Sequence, residues 1–103
     1  MRFLIEVRIP TDVGNKGVKD GSLFQQLQRY LKESKPEAVY YALREGRRTV
    51  FLIVNVQGAE QLPALAEPMW LDWQAEVFAT PVITADEFEK AAPRIQAVVQ
   101  ARK

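Results

Sequence analysis

The sequence predicts an α+β protein in which helices pack on one face of a four-stranded, antiparallel-type sheet. In residues 3–9 every odd-numbered position is apolar, and two of the three even-numbered positions, Glu6 and Arg8, are charged; this period of two is typical of a strand with one buried face. Residues 37–56 contain two runs rich in β-branched and aromatic residues, separated by Glu45-Gly46, which predicts a tight hairpin. We expect residues 1–103 to form a single domain.

The first strand is followed by a helix. Pro10 ends the strand because it can donate no ladder hydrogen bond. Residues 11–17 are predicted to be a polar, glycine-containing crossing, and a helix is expected from about Ser22, with Asn15 as an alternative start. Pro36 ends this helix.

The hairpin register follows from a two-residue turn. It places Leu43 opposite Arg48 and Tyr40 opposite Phe51. A short helix is predicted over residues 59–67, with Pro63 in its first turn and Pro68 at its end. Residues 72–80 are predicted to be a fourth strand that ends at Pro81.

A C-terminal helix is predicted over residues 84–102. Thr84 and Glu87 have the spacing of a capping box, and a break or kink is expected near Pro93. Its apolar stripe comprises Phe88, Ala92, Ile95, Val98 and Val99. The order β-α-β-β-α-β, with this extra helix, predicts a ferredoxin-like arrangement whose first and third strands are central.

One face of this sheet is too apolar for water and too charged for dry packing. The helices are expected to cover the apolar face of the first strand, which leaves the opposite face with Leu4, Glu6, Arg8, Tyr40, Thr49, Phe51, Ile53, Asn55, Gln74, Glu76 and Phe78. Such an apolar patch is larger than monomers usually expose, while dry burial would leave charges without partners. We therefore expect a homodimer that packs sheet to sheet around a partly hydrated space.

Composition excludes several classes of function. The net charge is +1 and the charges are interspersed, which argues against nucleic-acid binding. The absence of cysteine excludes thiolate chemistry, and the absence of histidine removes the usual general base and haem ligand. No acidic cluster suggests a metal site, so neither a metal nor a cofactor is expected. No membrane span or signal peptide is predicted, which makes the cytoplasm the default location.

Several segments resemble known proteins. MRFLIEVRIPTDV and LDWQAEVFATPV resemble the small muconolactone isomerase branch of the dimeric α+β barrel proteins, and PEAVYYALREGRRT and LPALAEPMWL are similar to a small bacterial family of that fold with no assigned activity. The resemblance covers nearly the whole chain and implies a dimeric barrel with a ligand either between sheet and helices or inside the barrel. The lack of histidine argues against a haem-dependent oxygenase and weakens an isomerase assignment.

Two sets of residues are candidates for a site. Glu6 and Arg8 share one strand face, where a carboxylate could transfer a proton beside a guanidinium that holds an anion, and Tyr40 could donate a hydrogen bond there. The alternative for Glu6 and Arg8 is a structural ion pair, in which Glu76 of a neighbouring strand could also take part. The predicted ligand-binding residues are Phe51, Asn55, Trp70, Trp73, Glu76 and Phe78. The alternative for both tryptophans is a core or interface anchor.

Three functions remain open at this stage. The first is a homodimeric barrel that binds, or acts on, a small and partly apolar organic acid, with a muconolactone-isomerase-like activity as one version of it. The second is a non-catalytic oligomerisation or interaction module. The third is RNA binding, which the strand order permits but which lacks its aromatic motif, since the third strand offers only Phe51. An amino-acid-binding regulatory domain of the same topology also remains open.

Overall fold

The computed structural model describes residues 1–103. Its helices and strands are β1 (Arg2–Ile9), α1 (Thr11–Asp20), α2 (Ser22–Ser34), β2 (Ala38–Arg44), β3 (Arg47–Asn55), a 3-10 turn (Ala59–Gln61), α3 (Leu62–Trp73), β4 (Glu76–Val82) and α4 (Ala85–Ala101). The strands form one open antiparallel sheet in the order β2-β3-β1-β4. The first and third strands are therefore central, as predicted, and the arrangement is compatible with a ferredoxin-like fold.

The core lies between one face of this sheet and the helices α1 to α3. Every odd-numbered residue of β1 from Phe3 to Ile9 is buried, whereas the even-numbered residues are half-buried. Burial therefore follows the period of two that the sequence predicts for this strand. The other buried apolar residues of the core are Leu23, Tyr30, Val50, Leu52, Val54, Met69, Trp73 and Ala75.

The hairpin forms in the predicted register. Leu43 pairs with Arg48 and Tyr40 pairs with Phe51. Both turn residues have left-handed backbone conformations, with φ of 54° at Glu45 and 77° at Gly46. A two-residue turn with two positive φ angles matches the twist of the flanking strands, and glycine adopts such a φ without steric cost.

The first helical region begins earlier than predicted. Residues 11–17 are helical, because α1 starts at Thr11 directly after Pro10, and a left-handed Gly21 then separates α1 from α2. The two glycines that suggested an irregular crossing, Gly14 and Gly17, are the buried residues of α1. Tight packing against neighbouring side chains thus outweighs the low helix propensity of glycine.

The boundary between α3 and β4 also differs from the prediction. Pro63 lies in the first turn of α3 as expected, but Pro68 does not end the helix, which continues to Trp73. Proline removes a backbone hydrogen bond, yet continuing the helix buries Met69 and Trp73 in the core, which offsets that loss. Strand β4 consequently begins at Glu76 rather than at residue 72, and it includes Pro81. A proline is tolerated there because β4 is an edge strand.

Helix α4 begins with the predicted capping box. The Thr84 hydroxyl oxygen accepts a hydrogen bond from the Glu87 backbone N–H at 3.1 Å, and the Glu87 carboxylate accepts one from the Thr84 N–H at 2.9 Å. The helix continues through Pro93, so the break that was one of the two expected outcomes there does not occur. None of its residues is buried, so α4 adds nothing to the core.

Candidate functional site

The sheet face opposite the helices, here called the open face, carries a network of ion pairs near the hairpin turn. Glu6 lies 2.5 Å from the Arg8 guanidinium and 3.2 Å from that of Arg44. Arg8 also reaches Glu45 at 3.2 Å. The hydrogen bond to Glu6 raises the pKa of the Arg8 guanidinium above its usual value. The carboxylate of Glu6 is therefore engaged by two arginines.

The remaining charges of the open face are paired as well. Glu76 lies on β4 beside Arg8 and accepts a hydrogen bond from Arg47 at 2.5 Å. The Arg8 guanidinium lies over the Phe78 ring, 4.8 Å from its centroid, which is a cation–π contact. The open face thus presents no charged group without a partner near the predicted catalytic residues.

Aromatic and aliphatic side chains cover the rest of the open face. Phe51 and Ile53 are half-buried, whereas Tyr40 is 64% exposed and Phe78 is 44% exposed. Asn55 lies at the far end of β3, where its amide oxygen accepts a hydrogen bond from the N-terminal ammonium at 3.3 Å. The face is an open, largely apolar surface, and within one copy it encloses no cavity.

The two tryptophans lie on the helix side of the sheet, away from Phe51 and Phe78. Trp73 is buried, and its indole N–H donates to Gln26 at 2.9 Å while its ring meets Tyr30 edge-on at 6.2 Å. The Tyr30 hydroxyl donates to the Leu65 carbonyl at 2.9 Å, and burial raises the pKa of Tyr30 to about 12. Trp73 therefore joins α2 to α3 within the core.

Trp70 lines a cleft beside α3, here called the α3 cleft. Its volume is about 360 Å³, and its lining is apolar: Ile5, Ala59, Leu62, Pro63, Leu65, Ala66, Met69, Trp70, Val77 and Ala79. No ionisable side chain contributes to it. The fold therefore does not bring the predicted ligand-binding residues together in one copy, because Trp70 and Trp73 lie on the opposite side of the sheet from Phe51, Glu76 and Phe78.

A second cleft, here called the α2 cleft, lies between α2 and the hairpin. Its volume is about 280 Å³, and it is lined by Ile9, Val18, Leu23, Phe24, Leu27, Tyr41, Ala42, Leu43, Arg48, Thr49 and Val50. Helix α2 leaves this part of the sheet partly uncovered, so that Phe24 and Leu43 remain exposed. Arg48 is the one ionisable cation among these apolar side chains, and the Tyr41 hydroxyl adds a hydrogen-bonding group.

Arg48 differs from the other arginines of the sheet in its partners. Its Nη2 donates to the Asn15 side-chain oxygen at 3.0 Å, and it forms no ion pair. Arg2, Arg8, Arg44 and Arg47 each contact at least one carboxylate. A guanidinium has five N–H donors, so most of the hydrogen-bonding capacity of Arg48 is unused by the protein.

Glycine in α1 makes room for this guanidinium. A Cβ atom on Gly14 would lie 2.6 Å from Arg48 Nη1, so a larger residue would displace the arginine. In the sequence, Arg48 is one of three arginines at the hairpin turn, a cluster typical of either an anion site or a solvated turn, and the cluster alone does not distinguish Arg48 from the other two. The hairpin register does distinguish them. Because Arg48 pairs with Leu43, it lies on the helix side of the sheet, whereas Arg44 and Arg47 lie on the open face.

Three further results concern metal binding, membrane-spanning helices and similarity to known proteins. The structure contains no group of three or more acidic side chains placed to hold a metal ion. None of its helices has both the length and the hydropathy needed to cross a bilayer. No protein-family model matches the chain, and no curated protein matches it with significant sequence similarity.

Proposed function

We propose that the protein is a homodimer that binds a small, partly apolar organic acid in the α2 cleft. The observation that carries this proposal is Arg48, a half-buried cation without a carboxylate partner that lines an otherwise apolar concavity. Small-molecule sites combine apolar walls with a few polar groups that fix the ligand's orientation. An anionic ligand group would use the free donors of Arg48, and its apolar part would lie against Leu27 and Tyr41.

The size of the cleft limits the ligand. A volume of about 280 Å³ accommodates about ten non-hydrogen atoms at roughly 30 Å³ each. If each non-hydrogen atom contributes about 0.4 kcal/mol, the binding free energy of such a ligand is about −4 kcal/mol, which corresponds to a Kd on the order of 1 mM. Phenylacetate and hexanoate have the appropriate size and charge.

Matched acids and amides test the role of the charge. We expect isothermal titration calorimetry to show that phenylacetate binds at least tenfold more tightly than phenylacetamide, because hydrogen bonds to a charged group contribute about 1.5–3 kcal/mol. Arg48→Met should abolish that difference, whereas the control Arg47→Met should retain it, since Arg47 lies on the open face and pairs with Glu76. Equal binding of acid and amide to the unmodified protein would overturn the proposal.

The homodimer rests on a separate observation, the open face. Exposed aromatic side chains such as Tyr40 and Phe78 favour a covered state, and the charges beside them are already paired, which lowers the cost of removing water from them. Sedimentation equilibrium should report a dimer at micromolar concentration. Phe51→Arg should weaken it, whereas Phe24→Arg, on α2, should leave it intact. A monomer under these conditions would contradict the homodimer but not the Arg48 site.

A second candidate function, a non-catalytic interaction module, is favoured by the engagement of Glu6 with two arginines. In that case these side chains only seal an interface. The double change Glu6→Gln with Arg8→Met should then leave stability unchanged or raised, because replacing both partners of a covered ion pair is often neutral or stabilising. Loss of phenylacetate binding in the double variant would instead place Glu6 and Arg8 in the binding machinery.

A further inference from the structure

Helix α4 projects from the body of the protein without a packing partner. The molecule measures 62 × 28 × 20 Å, and no residue of α4 is buried. Its large apolar side chains share one stripe and are exposed by between 44% and 57%: Phe88, Ile95, Val98 and Val99. Their spacing of three, four and seven residues is that of a helix with one face packed against another surface.

Such a helix lacks its usual source of stability. In proteins, most helical stability comes from the packing of an apolar face rather than from helix propensity. Pro93 lowers the stability further, because it removes the backbone hydrogen bond that residue 93 would donate to the Glu89 carbonyl. A surface that covers the apolar stripe would therefore stabilise the helix and offset the loss at Pro93.

The start of α4 is fixed at the edge of the open face. Glu87, in the first turn, accepts a hydrogen bond from Arg2 at 2.6 Å, and Arg2 also pairs with Glu37 at 2.8 Å. Arg2 has the same strand parity as Leu4 and Glu6, so this anchor lies on the open side of the sheet. Only Ile83 and Thr84 connect β4 to α4, and the capping box fixes this connection.

We propose that α4 of one copy packs by its apolar stripe on the open face of a second copy, and that the exchange is reciprocal. The dimensions agree, since the 17 residues of α4 span about 25 Å, and the eight residues of β1 span about 26 Å. The contact joins the Phe88, Ile95 and Val99 side chains of one copy to Leu4, Phe51 and Ile53 of the other. This arrangement rests on the homodimer proposed above and specifies its interface.

The partner is a second copy because each chain carries both halves of the contact. Each chain has one uncovered helix and one uncovered sheet face. In a two-fold dimer, the helix of each copy covers the sheet face of the other, so the same contact forms twice. A foreign partner would have to cover two separate apolar surfaces. Folding of α4 onto its own sheet would require a change in the two-residue connection of Ile83 and Thr84 and would disturb the Arg2–Glu87 pair.

A pair of substitutions on opposite sides of α4 tests the exchange. Ile95→Glu places a charge in the stripe, whereas Ala97→Glu places the same charge on the opposite side of the helix. We expect sedimentation equilibrium to show at least a tenfold rise in the dimer dissociation constant for Ile95→Glu and none for Ala97→Glu. Circular dichroism of both variants checks that the sheet and the other helices remain folded.

Cross-linking gives the second measurement, and the chain has no cysteine of its own to interfere. One sample carries Val99→Cys and a second carries Ile53→Cys; the two are mixed and oxidised. The exchange predicts a covalent species at twice the 11.7 kDa of the chain. The control mixture of Val99→Cys with Tyr41→Cys, on the helix side, should give none.

The outcomes separate this inference from the homodimer. A dimer that is insensitive to Ile95→Glu and gives no Val99–Ile53 cross-link would overturn the exchange and leave a sheet-to-sheet homodimer. A protein that stays monomeric at micromolar concentration would overturn both. Disulfide formation within a single chain carrying both cysteines, without dimers, would show that α4 folds back onto its own sheet and would also overturn the exchange.

Discussion

Along residues 50–54 of β3, the two faces of the sheet differ in what covers them and not in their hydropathy. On β3 the helix side carries Val50, Leu52 and Val54, and the open side carries Phe51 and Ile53, which are equally apolar. Helices α1 to α3 bury the first set, whereas the second remains partly accessible. Hydropathy therefore indicates which surfaces need a partner, while connectivity decides which of them the same chain can cover.

The largest difference between the faces should appear when neighbouring residues of β3 are truncated. Leu52 is 1% exposed and Ile53 is half-buried on the opposite face. Leu52→Ala should lower the free energy of unfolding by about 2–5 kcal/mol, because it leaves a cavity in the core. At low protein concentration, urea denaturation should show that Ile53→Ala lowers the free energy of unfolding by less than Leu52→Ala does. Equal losses in a monomeric protein would show that the open face is as well packed as the core.

The second effect concerns the Tyr30 hydroxyl on the covered side. Tyr30→Phe leaves the Leu65 carbonyl without its hydrogen bond and should cost about 1–2 kcal/mol of unfolding free energy. No comparable loss is expected for Tyr40→Phe, whose hydroxyl is on the exposed open face. Chemical denaturation of both variants provides the comparison.

Tyr30 also makes the free energy of unfolding depend on pH in the alkaline range. Burial raises the pKa of Tyr30 from its ordinary value of 10.0 to about 12. Because the native protein holds this proton more tightly than the unfolded chain, the contribution of Tyr30 is complete below pH 10 and is lost as the pH rises through about 12. Between pH 10 and 12, the free energy of unfolding of Tyr30→Phe should fall less steeply with pH than that of the unmodified protein. An identical pH dependence in the two proteins would show that Tyr30 does not cause the loss.

A smaller effect is expected at the N-terminus of α4. Thr84→Ala removes the cap and should destabilise the helix by about 1 kcal/mol, which amide hydrogen exchange of α4 would detect. Hydrogen bonds from the backbone and side chain of Thr84 hold the pKa of Glu87 below its usual 4.5. The contribution of Glu87 is therefore complete above pH 4.5 and is lost as the pH falls through the lowered value.

The smallest effect is expected for an ion pair on the open face. Arg47 and Glu76 are both about half exposed, and exposed pairs contribute about 0–1 kcal/mol. Arg47→Met should therefore change the stability of the single copy by less than about 0.5 kcal/mol. A markedly larger loss that grows with protein concentration would show that this pair is covered by a second copy, which would reduce the contrast between the two faces.

Local signals predicted the parts of the fold that depend on short segments. The turn at Glu45-Gly46 fixed the hairpin register, and the spacing of Thr84 and Glu87 fixed the start of α4. Elements whose limits depend on packing were misjudged: α1 begins at Thr11 because its glycines are buried, and α3 passes Pro68 because Met69 and Trp73 are buried. Single-residue propensities cannot include the energy of such contacts.

The candidate site was harder to predict than the fold. Strand parity predicted the residues of the open face except Gln74, which is the left-handed C-cap of α3 and precedes β4. Arg48 was not distinguished from Arg44 and Arg47, because the three lie close together at the hairpin turn; strand parity places Arg48 on the other face, but only the structure shows that it lacks a carboxylate partner. The side chains that contact these three arginines come from β1, β4 and α1, and a sequence pattern does not show which distant groups lie beside a guanidinium.

The placement of proline in one edge strand has a consequence for aggregation. The sheet ends at β2 on one side and at β4 on the other, and only β4 contains a proline, Pro81. An edge strand that lacks a proline and exposes Tyr40, Tyr41 and Leu43 is a template for further strands when neighbouring molecules unfold. Strand addition at high concentration should therefore start from β2, and a lysine at position 41 or 43 would act as a gatekeeper against it.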